Sequence, residues 1–381
     1  MGFIDAEGNF HLSLKDFKDN TFRFPQLTFQ IALHIDDLKT LKLIQSKLHC
    51  GLITISKDRC NFYVNDIFSI INIIIPICTH FKLNSSKIHM FNIFTIAAEL
   101  IFNGEHLNHI GKMKLISLKN EISELVKNKK PGFINKITLQ WLIGFIEGEC
   151  SFSTSSCCVR LKFENTVVET NLFRAILEFL GISHSINLQF PKLRNKGFNE
   201  NPVVVFEITP IDFIYKQLIP LLQSSNWYTK KYLDFKDWTI IAKLQYLGFH
   251  TLVEGQNLIS LIKSRMNNFR LSTNIKFNGN LFIPQLVFNK VFSLPNPYLD
   301  YGTFRIKANS FNIVQQNGFS LVVTNLNSNQ KKTYSKLSDC IKELKINKIQ
   351  IINCLTNKTS YQGYTFSIKS TFFTKCLDFT L

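Results

Sequence analysis

The pattern that opens this chain, Gly2-Phe3-Ile4-Asp5-Ala6-Glu7-Gly8-Asn9-Phe10, returns far downstream as Gly144-Phe145-Ile146-Glu147-Gly148-Glu149-Cys150-Ser151-Phe152. Both copies place small residues at helical spacing, Gly2 with Ala6 and Gly144 with Gly148, which predicts a bare strip on one face of each of two helices. Two bare strips can pack backbone to backbone. Each helix then delivers an acid, Glu7 or Glu149, one turn from the contact, so that two carboxylates from distant sequence share one metal-binding centre.

A second repeat supports the first. At a constant offset of 144 residues, Lys87 matches Lys231, Phe91 Phe235, Thr95 Thr239, Ala98 Ala242, Gly104 Gly248, His106 His250 and Gly111 Gly255. The acidic motifs themselves lie 142 apart. Self-similarity of this period means two homologous units, and about 270 residues therefore read as a fused dimer with a pseudo-two-fold axis, monomeric as a chain.

Charge narrows the partner. With 44 Lys and Arg against 27 Asp and Glu the net charge is +17, which favours a polyanion, and nucleic acid before membrane. The nine cysteines show no metal-ligand spacing and read as reduced, mostly buried thiols. The apolar run from Ile67 to Cys78 is broken by Ser69, Asn72 and Pro76 and is too short to cross a bilayer, so no membrane partner is expected. No signal peptide or Arg-rich transit segment precedes Gly2, so a protein working in an organelle would be made there.

Between the first motif and Lys87 the pattern alternates. Phe10, Leu12 and Leu14 interleave with His11, Ser13 and Lys15; Leu27, Phe29 and Ile31 with Thr28, Gln30 and Ala32; Phe62 and Val64 with Asn61, Tyr63 and Asn65. These are half-buried antiparallel strands whose open face, with Arg23 nearby, carries residues able to bond phosphates and base edges. In the second unit Val159, Leu161 and Phe163 alternate with Arg160, Lys162 and Glu164. The segment Val203 to Ile208 reads as a strand buried on part of both faces. Lys192, Arg194, Asn195, Lys196 and Gly197 read as a basic hairpin tip. Helices are expected over roughly 87 to 127 and 231 to 267, so each unit is an α+β module.

Motif, following Phe, the strand Leu27-Thr28-Phe29-Gln30, lysine and helices come in the order of the LAGLIDADG homing endonucleases, which the chain resembles over about residues 1 to 270. The resemblance is to the single-chain, two-motif type encoded by introns of fungal mitochondria, which implies a mitochondrial, organelle-encoded protein. It implies two pseudo-symmetric αββαββα domains, 1–128 and 129–272, forming a DNA-binding saddle with the motif helices at their interface. Glu7 and Glu149 match the metal-binding acids, with Mg²⁺ or Mn²⁺ as the ion. Asp5 and Glu147 match a motif acid that serves structure or capping. Gln30 matches a residue that positions solvent near the metals, and Glu164 is expected at the corresponding place in the second half. Lys87 and Lys231 match the basic residue that each half aims at the active-site solvent, where a cation stabilises charge developing on the phosphate. Neighbouring Lys230 leaves the second lysine open by one residue. On this reading His11, Ser13, Lys15, Arg23, Thr28, Asn61, Tyr63, Asn65, Arg160, Lys162, Lys192, Arg194 and Lys196 contact DNA.

The chain departs from the family pattern in three places. Met1 stands at the motif's second position, so an upstream exon fused in frame would supply the turn before Gly2. Cys150 replaces the closing Gly, which removes easy access to positive φ at the helix end. Glu164 replaces an amide with a third acid.

Residues 273–305, with Asn278, Gly279, Asn280, Pro284, Pro295 and Pro297, read as an irregular linker. In 306–381, Ser335 to Leu344 and Lys348 to Leu355 flank a Lys345-Ile346-Asn347 break. Leu337, Ile341, Leu344, Ile349, Ile352 and Leu355 stand at core-facing spacing and Lys348, Gln350 and Asn353 point outward. This part resembles the modular helix-turn-helix repeats attached to homing nucleases. The implied function is site-specific cleavage of double-stranded DNA by metal-assisted phosphodiester hydrolysis at a long asymmetric site, promoting intron mobility. The alternative from another class is a group I intron maturase that binds RNA without cutting, and a third is a DNA-binding protein with decayed chemistry.

Overall fold

The computed structural model describes residues 1–18, 21–182, 203–301, 304–307, 313–314, 319–334 and 337–370. The first unit runs α1 (Gly2–Glu7), β1 (Gly8–Lys15), β2 (Phe24–His34), α2 (Leu38–Leu48), β3 (Leu52–Ser56) and β4 (Arg59–Val64). It continues as α3 (Ile67–Ser69), a π-turn over Ile70–Ile74, α4 (Ile75–Phe81), α5 (Lys87–Phe102) and α6 (His109–Lys127). The apolar run from Ile67 is thus a helix with Ile70, Ile74 and Cys78 buried, and among the described residues no helix is long and apolar enough to cross a membrane.

The second unit repeats the order as α7 (Leu139–Glu149), β5 (Cys150–Ser155), β6 (Cys158–Thr166), α8 (Thr170–Phe179) and β7 (Val203–Ile208). Then come α9 (Ile211–Phe213), a π-turn over Ile214–Leu218, α10 (Ile219–Gln223), α11 (Lys231–Tyr246) and α12 (Val253–Lys263). The two π-turns lie 144 residues apart, and each is followed by a proline, Pro76 or Pro220, whose missing N–H removes a hydrogen bond from the regular ladder. The repeat thus extends to a local irregularity of the backbone.

The sheets are antiparallel, ordered β1-β2-β4-β3 in the first unit and β5-β6-β7 in the second. Alternation decides which face each residue takes. Phe10, Leu12, Leu27, Phe29, Ile31, Phe62 and Val64 are all buried, and the rings of Phe10, Phe29, Phe91 and Phe94 meet at centroid distances of 5.2 to 5.4 Å around Phe10. Burying each such side chain contributes roughly 1.5–3 kcal/mol. β7 buries Val204, Phe206 and Ile208 on one face and half-buries Val203, Val205 and Glu207 on the other, so both faces are at least partly covered, as expected.

The two units meet along α1 and α7, and glycine makes the contact. A Cβ on Gly2 would lie 1.7 Å from the carbonyl oxygen of Trp141, one on Gly144 2.7 Å from the Phe3 nitrogen, and one on Gly148 2.3 Å from the Ala6 methyl. The helices are held close enough to forbid a side chain at these positions.

Residues 273–305 are not wholly irregular. A helix α13 (Gln285–Phe292) packs Val291 into the core of the second unit, with Ile283 buried before it. The flanking prolines dominated the sequence pattern, but Val287, Phe288, Val291 and Phe292 hold helical spacing within it. Strands β8 (Tyr298–Tyr301), β9 (Phe304–Lys307) and β10 (Ile313–Val314) follow, so β9 spans the boundary expected at 305. The last module is a sheet of β11 (Phe319–Asn325), β12 (Lys331–Tyr334), β13 (Ser360–Tyr361) and β14 (Tyr364–Ser370), in the order β12-β11-β14-β13, with α14 (Leu337–Leu344) and α15 (Lys348–Asn357). Its core is separate from the other two and includes Leu321, Val323, Cys340, Ile351 and Phe366. The two helices and their break fall as expected, with two exceptions: Ile349 is 44% exposed, and Ile351, not singled out by the spacing, is fully buried.

Candidate active site

The close helix contact carries Glu7 and Glu149 to the same place. A side chain on Gly148, the residue before Glu149, would meet Glu7 Oε1 at 3.3 Å. The neighbouring motif acids do different work. Asp5 is buried and accepts hydrogen bonds from the Asn84 and Ser85 N–H groups, from Ser85 Oγ at 2.6 Å and from Trp141 Nε1 at 2.8 Å. Glu147 accepts from the Tyr228 and Thr229 N–H groups and from Thr229 Oγ1. Both therefore tether the segments that lead into α5 and α11, which agrees with a structural role.

Those helices begin with the lysines. Lys87 Nζ donates to the carbonyl of Ala6 at 2.6 Å, and Lys231 Nζ to those of Gly148 at 3.1 Å and Cys150 at 2.6 Å. Ala6 and Gly148 are equivalent motif positions, so the lysines occupy equivalent places. Lys230 turns away to Asp36, which with bonds from Ser272 draws the Asp36 carboxyl down to about 2 despite its partial burial. Of the two, Lys231 is the one whose ammonium reaches the motif end.

Burial pushes the carboxyls of both Glu7 and Glu149 above their ordinary value of 4.5; Lys87 and Lys231 oppose the shift, and Glu7 adds to that of Glu149. Burial likewise pulls the Lys87 amine down, while Glu149 and Glu7 support its charge. A carboxyl whose pKa is higher in the folded than in the unfolded state contributes stability that is full below the unfolded value and lost as pH rises through the folded one. In chelator and without DNA, Glu149→Gln is therefore expected to melt above the wild type at about pH 7.5 and to lose that advantage towards about pH 4. A wild type that melts higher at neutral pH would contradict this placement of the charge.

The strand register corrects one equivalence. Gly8 pairs with Ile31 and Asn9 with Gln30, whereas Cys150 pairs with Phe163 and Ser151 with Lys162. Lys162, not Glu164, therefore takes the place of Gln30. The cause is a shorter hairpin: β5 and β6 are joined by only Ser156 and Cys157, both at positive φ, where β1 and β2 are separated by residues 16–23. Gln30 donates to Asn61 Oδ1 at 3.1 Å, while Lys162 is ion-paired with Glu164.

Cys150 requires a second correction. It ends α7 in extended conformation at φ −94°, as Gly8 ends α1 at φ −69°, so the position does not call for positive φ and the thiol is simply buried.

His11, Ser13, Lys15, Thr28, Asn61 and Tyr63 share the open face of the first sheet by register, with Arg23 just before β2 and Asn65 just after β4. The same face carries Asn9, Gln26, Thr54, Ser56 and Arg59, which a longer reading of the alternation would have included. On the second sheet Arg160 is paired with Glu207 at 3.0 Å, so among the described residues its cations Arg160 and Lys162 both carry an acid partner. Lys192, Arg194 and Lys196 lie outside the described residues. On α15 Asn353 is exposed, while Gln350 donates to the Tyr361 hydroxyl at 2.6 Å and Lys348 is half-buried.

Among the described residues no group of three or more His, Cys, Asp and Glu is arranged to enclose a metal ion. Glu7 and Glu149 are the two carboxylates brought together here. Mg²⁺, which is commonly held by one or two carboxylates plus phosphate oxygens, fits that donor set.

The family profile described as LAGLIDADG endonuclease matches residues 1–98 and 142–242, more than half of the chain. The "Uncharacterized mitochondrial protein RF1" of Saccharomyces cerevisiae is 24% identical over 78% of this chain and 65% of its own length. The "Probable intron-encoded endonuclease 3" of Neurospora crassa is 27% identical over 69% of this chain and 53% of its own. The chain thus spans roughly half to two thirds of these relatives. Among solved structures, the LAGLIDADG homing endonuclease I-GzeII in complex with DNA target matches with a TM-score of 0.60 at 28% identity, over 71% of this chain and 97% of that one.

Proposed function

This chain belongs to the LAGLIDADG endonuclease family, and from that premise we propose that it is a site-specific endonuclease cutting both strands of DNA at a long asymmetric site, in the service of intron mobility in a fungal mitochondrion. The observation that carries the reading is the paired centre: one acid and one lysine from each half, placed equivalently about the contact of α1 and α7. Glu7 and Glu149 would hold the divalent cation, Mg²⁺ or Mn²⁺. When bound, the cation neutralises phosphate charge and makes water more acidic. Lys87 and Lys231, fixed by backbone carbonyls at the motif ends, hold positive charge where the phosphate gains negative charge during hydrolysis. Gln30 orients solvent in the first half, and the Lys162–Glu164 pair stands beside it in the second. The open faces of the two sheets lie against the DNA, and because the halves differ in side chains the site they read need not be palindromic.

The test is incubation with a plasmid carrying the intronless insertion site. Linear product in Mg²⁺ and none in chelator is the expected result. Uncut DNA together with tight binding of the group I intron RNA would give the splicing role instead.

We assign residues 1–128 and 129–272 to the two catalytic halves, with α13 packed on the second, and 306–381 to a module extending the DNA contact through Lys348, Gln350 and Asn353. The separate core from Leu321 to Phe366 supports a module of its own in that region. Deleting 306–381 is expected to shorten the footprint on DNA without stopping cleavage. An unchanged footprint would show that the module reads no DNA.

A further inference from the structure

The residue before each lysine of the centre is held from the opposite half. Ser86, immediately before Lys87, donates its backbone N–H to Glu169 Oε1 at 2.9 Å, and Glu169 closes the turn Val167–Glu169 between β6 and α8 of the second half. Reciprocally, Lys230, immediately before Lys231, donates its N–H to Asp37 Oδ1 at 2.6 Å, and Asp37 closes the turn Ile35–Asp37 between β2 and α2 of the first. The two bonds obey the repeat. Ser86 and Lys230 are 144 apart; Asp37 and Glu169 are 132 apart, the same offset that relates the strands before them.

Neither α5 nor α11 has a side-chain cap from its own N-cap residue, Ser86 or Lys230. Each starts with a lysine, a cation at the helix's positive end, where an anion is the favoured neighbour. Glutamate and aspartate from across the interface supply both the acceptor and the charge. An ordinary cap is a short local residue exposed to water. Glu169 instead is 3% exposed, and its Oε2 has no hydrogen-bond partner among the described residues. It lines a 200 Å³ cleft together with Glu149 and Lys87. Asp37 lines the equivalent cleft with Lys231.

We propose that Glu169 and Asp37 are positioning residues, each holding from the opposite half the start of the helix that carries the lysine serving one DNA strand, so that the placement of each lysine depends on both halves. The inference rests on the endonuclease reading above. It implies that the asymmetry of the chain reaches the chemistry crosswise, with a change in the second half appearing as slow cutting by the first.

The test is strand-resolved cleavage by the full chain, with each strand of the intronless site labelled separately. Glu169→Ala is expected to slow one strand about tenfold or more and leave the other within about twofold, so that nicked DNA accumulates. Asp37→Ala is expected to nick with the opposite preference, and Glu169→Gln and Asp37→Asn, which keep an accepting oxygen, to restore both cuts. Equal slowing of both strands, the same strand slowed by both variants, or amide variants no better than alanine would overturn the proposal. Amide hydrogen exchange supplies a readout that needs no cutting. Glu169→Ala should speed exchange at Ser86 while sparing Ser85, whose N–H is held by Asp5. Unchanged exchange at Ser86 would overturn the anchoring whether or not DNA is cut. Exchange as expected in a protein that cuts neither strand would keep the anchoring and remove the endonuclease reading alone.

Discussion

Glu7→Gln and Glu149→Gln are each expected to abolish double-strand cleavage, by about 10³-fold or more, while DNA binding stays within a few-fold of wild type. That factor corresponds to about 4 kcal/mol of transition-state stabilisation. On the endonuclease reading the centre provides two protein carboxylates, and an amide in place of either removes half of the anionic ligand set. Binding should survive because the residues expected to touch DNA lie on the sheet faces and not at the helix ends. The variants should also be no less stable than wild type, since both carboxyls are pushed up by burial. Loss of activity with an equal or higher melting temperature would separate chemistry from folding. Unchanged cleavage would remove both acids from the metal site.

Gly144→Val is the second large effect. Even a methyl at this position would approach the Phe3 backbone nitrogen to 2.7 Å, and backbone cannot turn aside as a side chain can. The helices must separate or tilt. Overpacking of this kind costs roughly 1–3 kcal/mol, and about 2–4 °C of melting temperature goes with each kcal/mol in a domain of this class. A loss of roughly 5 °C or more is expected, together with loss of cleavage, because Glu7 and Glu149 converge only through this contact. The measurement is a thermal melt paired with cleavage by the folded fraction. A folded, fully active Gly144→Val would show that the close approach is not what builds the centre.

The parts of this arrangement that were legible in the sequence are those the repeat imposes at fixed offset. Gly2, Ala6, Gly144 and Gly148 announced the helix contact, and Lys87 and Lys231 announced themselves by returning 144 residues later. Alternation gave the faces of β1, β2 and β4. The counterpart of Gln30 was misplaced because the hairpin between β5 and β6 is shorter, which changes the offset from 142 to 132 between one strand and the next. Only the register of hydrogen-bonded strands shows that Lys162 stands in the place of Gln30. Asp37 and Glu169 carried no signal at all: they differ in residue type, and their partners are backbone N–H groups of the other half. α13 was hidden by the prolines around it. In α15 the choice of Ile349 over Ile351 failed because a broad apolar stripe does not specify its own edge.

The second sheet brings its cations already paired, Arg160 with Glu207 and Lys162 with Glu164, where the first pairs Gln30 with Asn61. On the endonuclease reading, the described parts of the two sheets therefore meet DNA with different side chains, and the asymmetry lies in the sheet as well as in the motif.

The most direct test of the central claim is anomalous scattering from crystals of the chain bound to its DNA site with Mn²⁺. The account predicts manganese between the ends of α1 and α7, contacted by carboxylate oxygens of Glu7 and Glu149 and by DNA phosphate, with none at Asp5 or Glu147. Manganese held by only one half, or bound away from both glutamates, would contradict it.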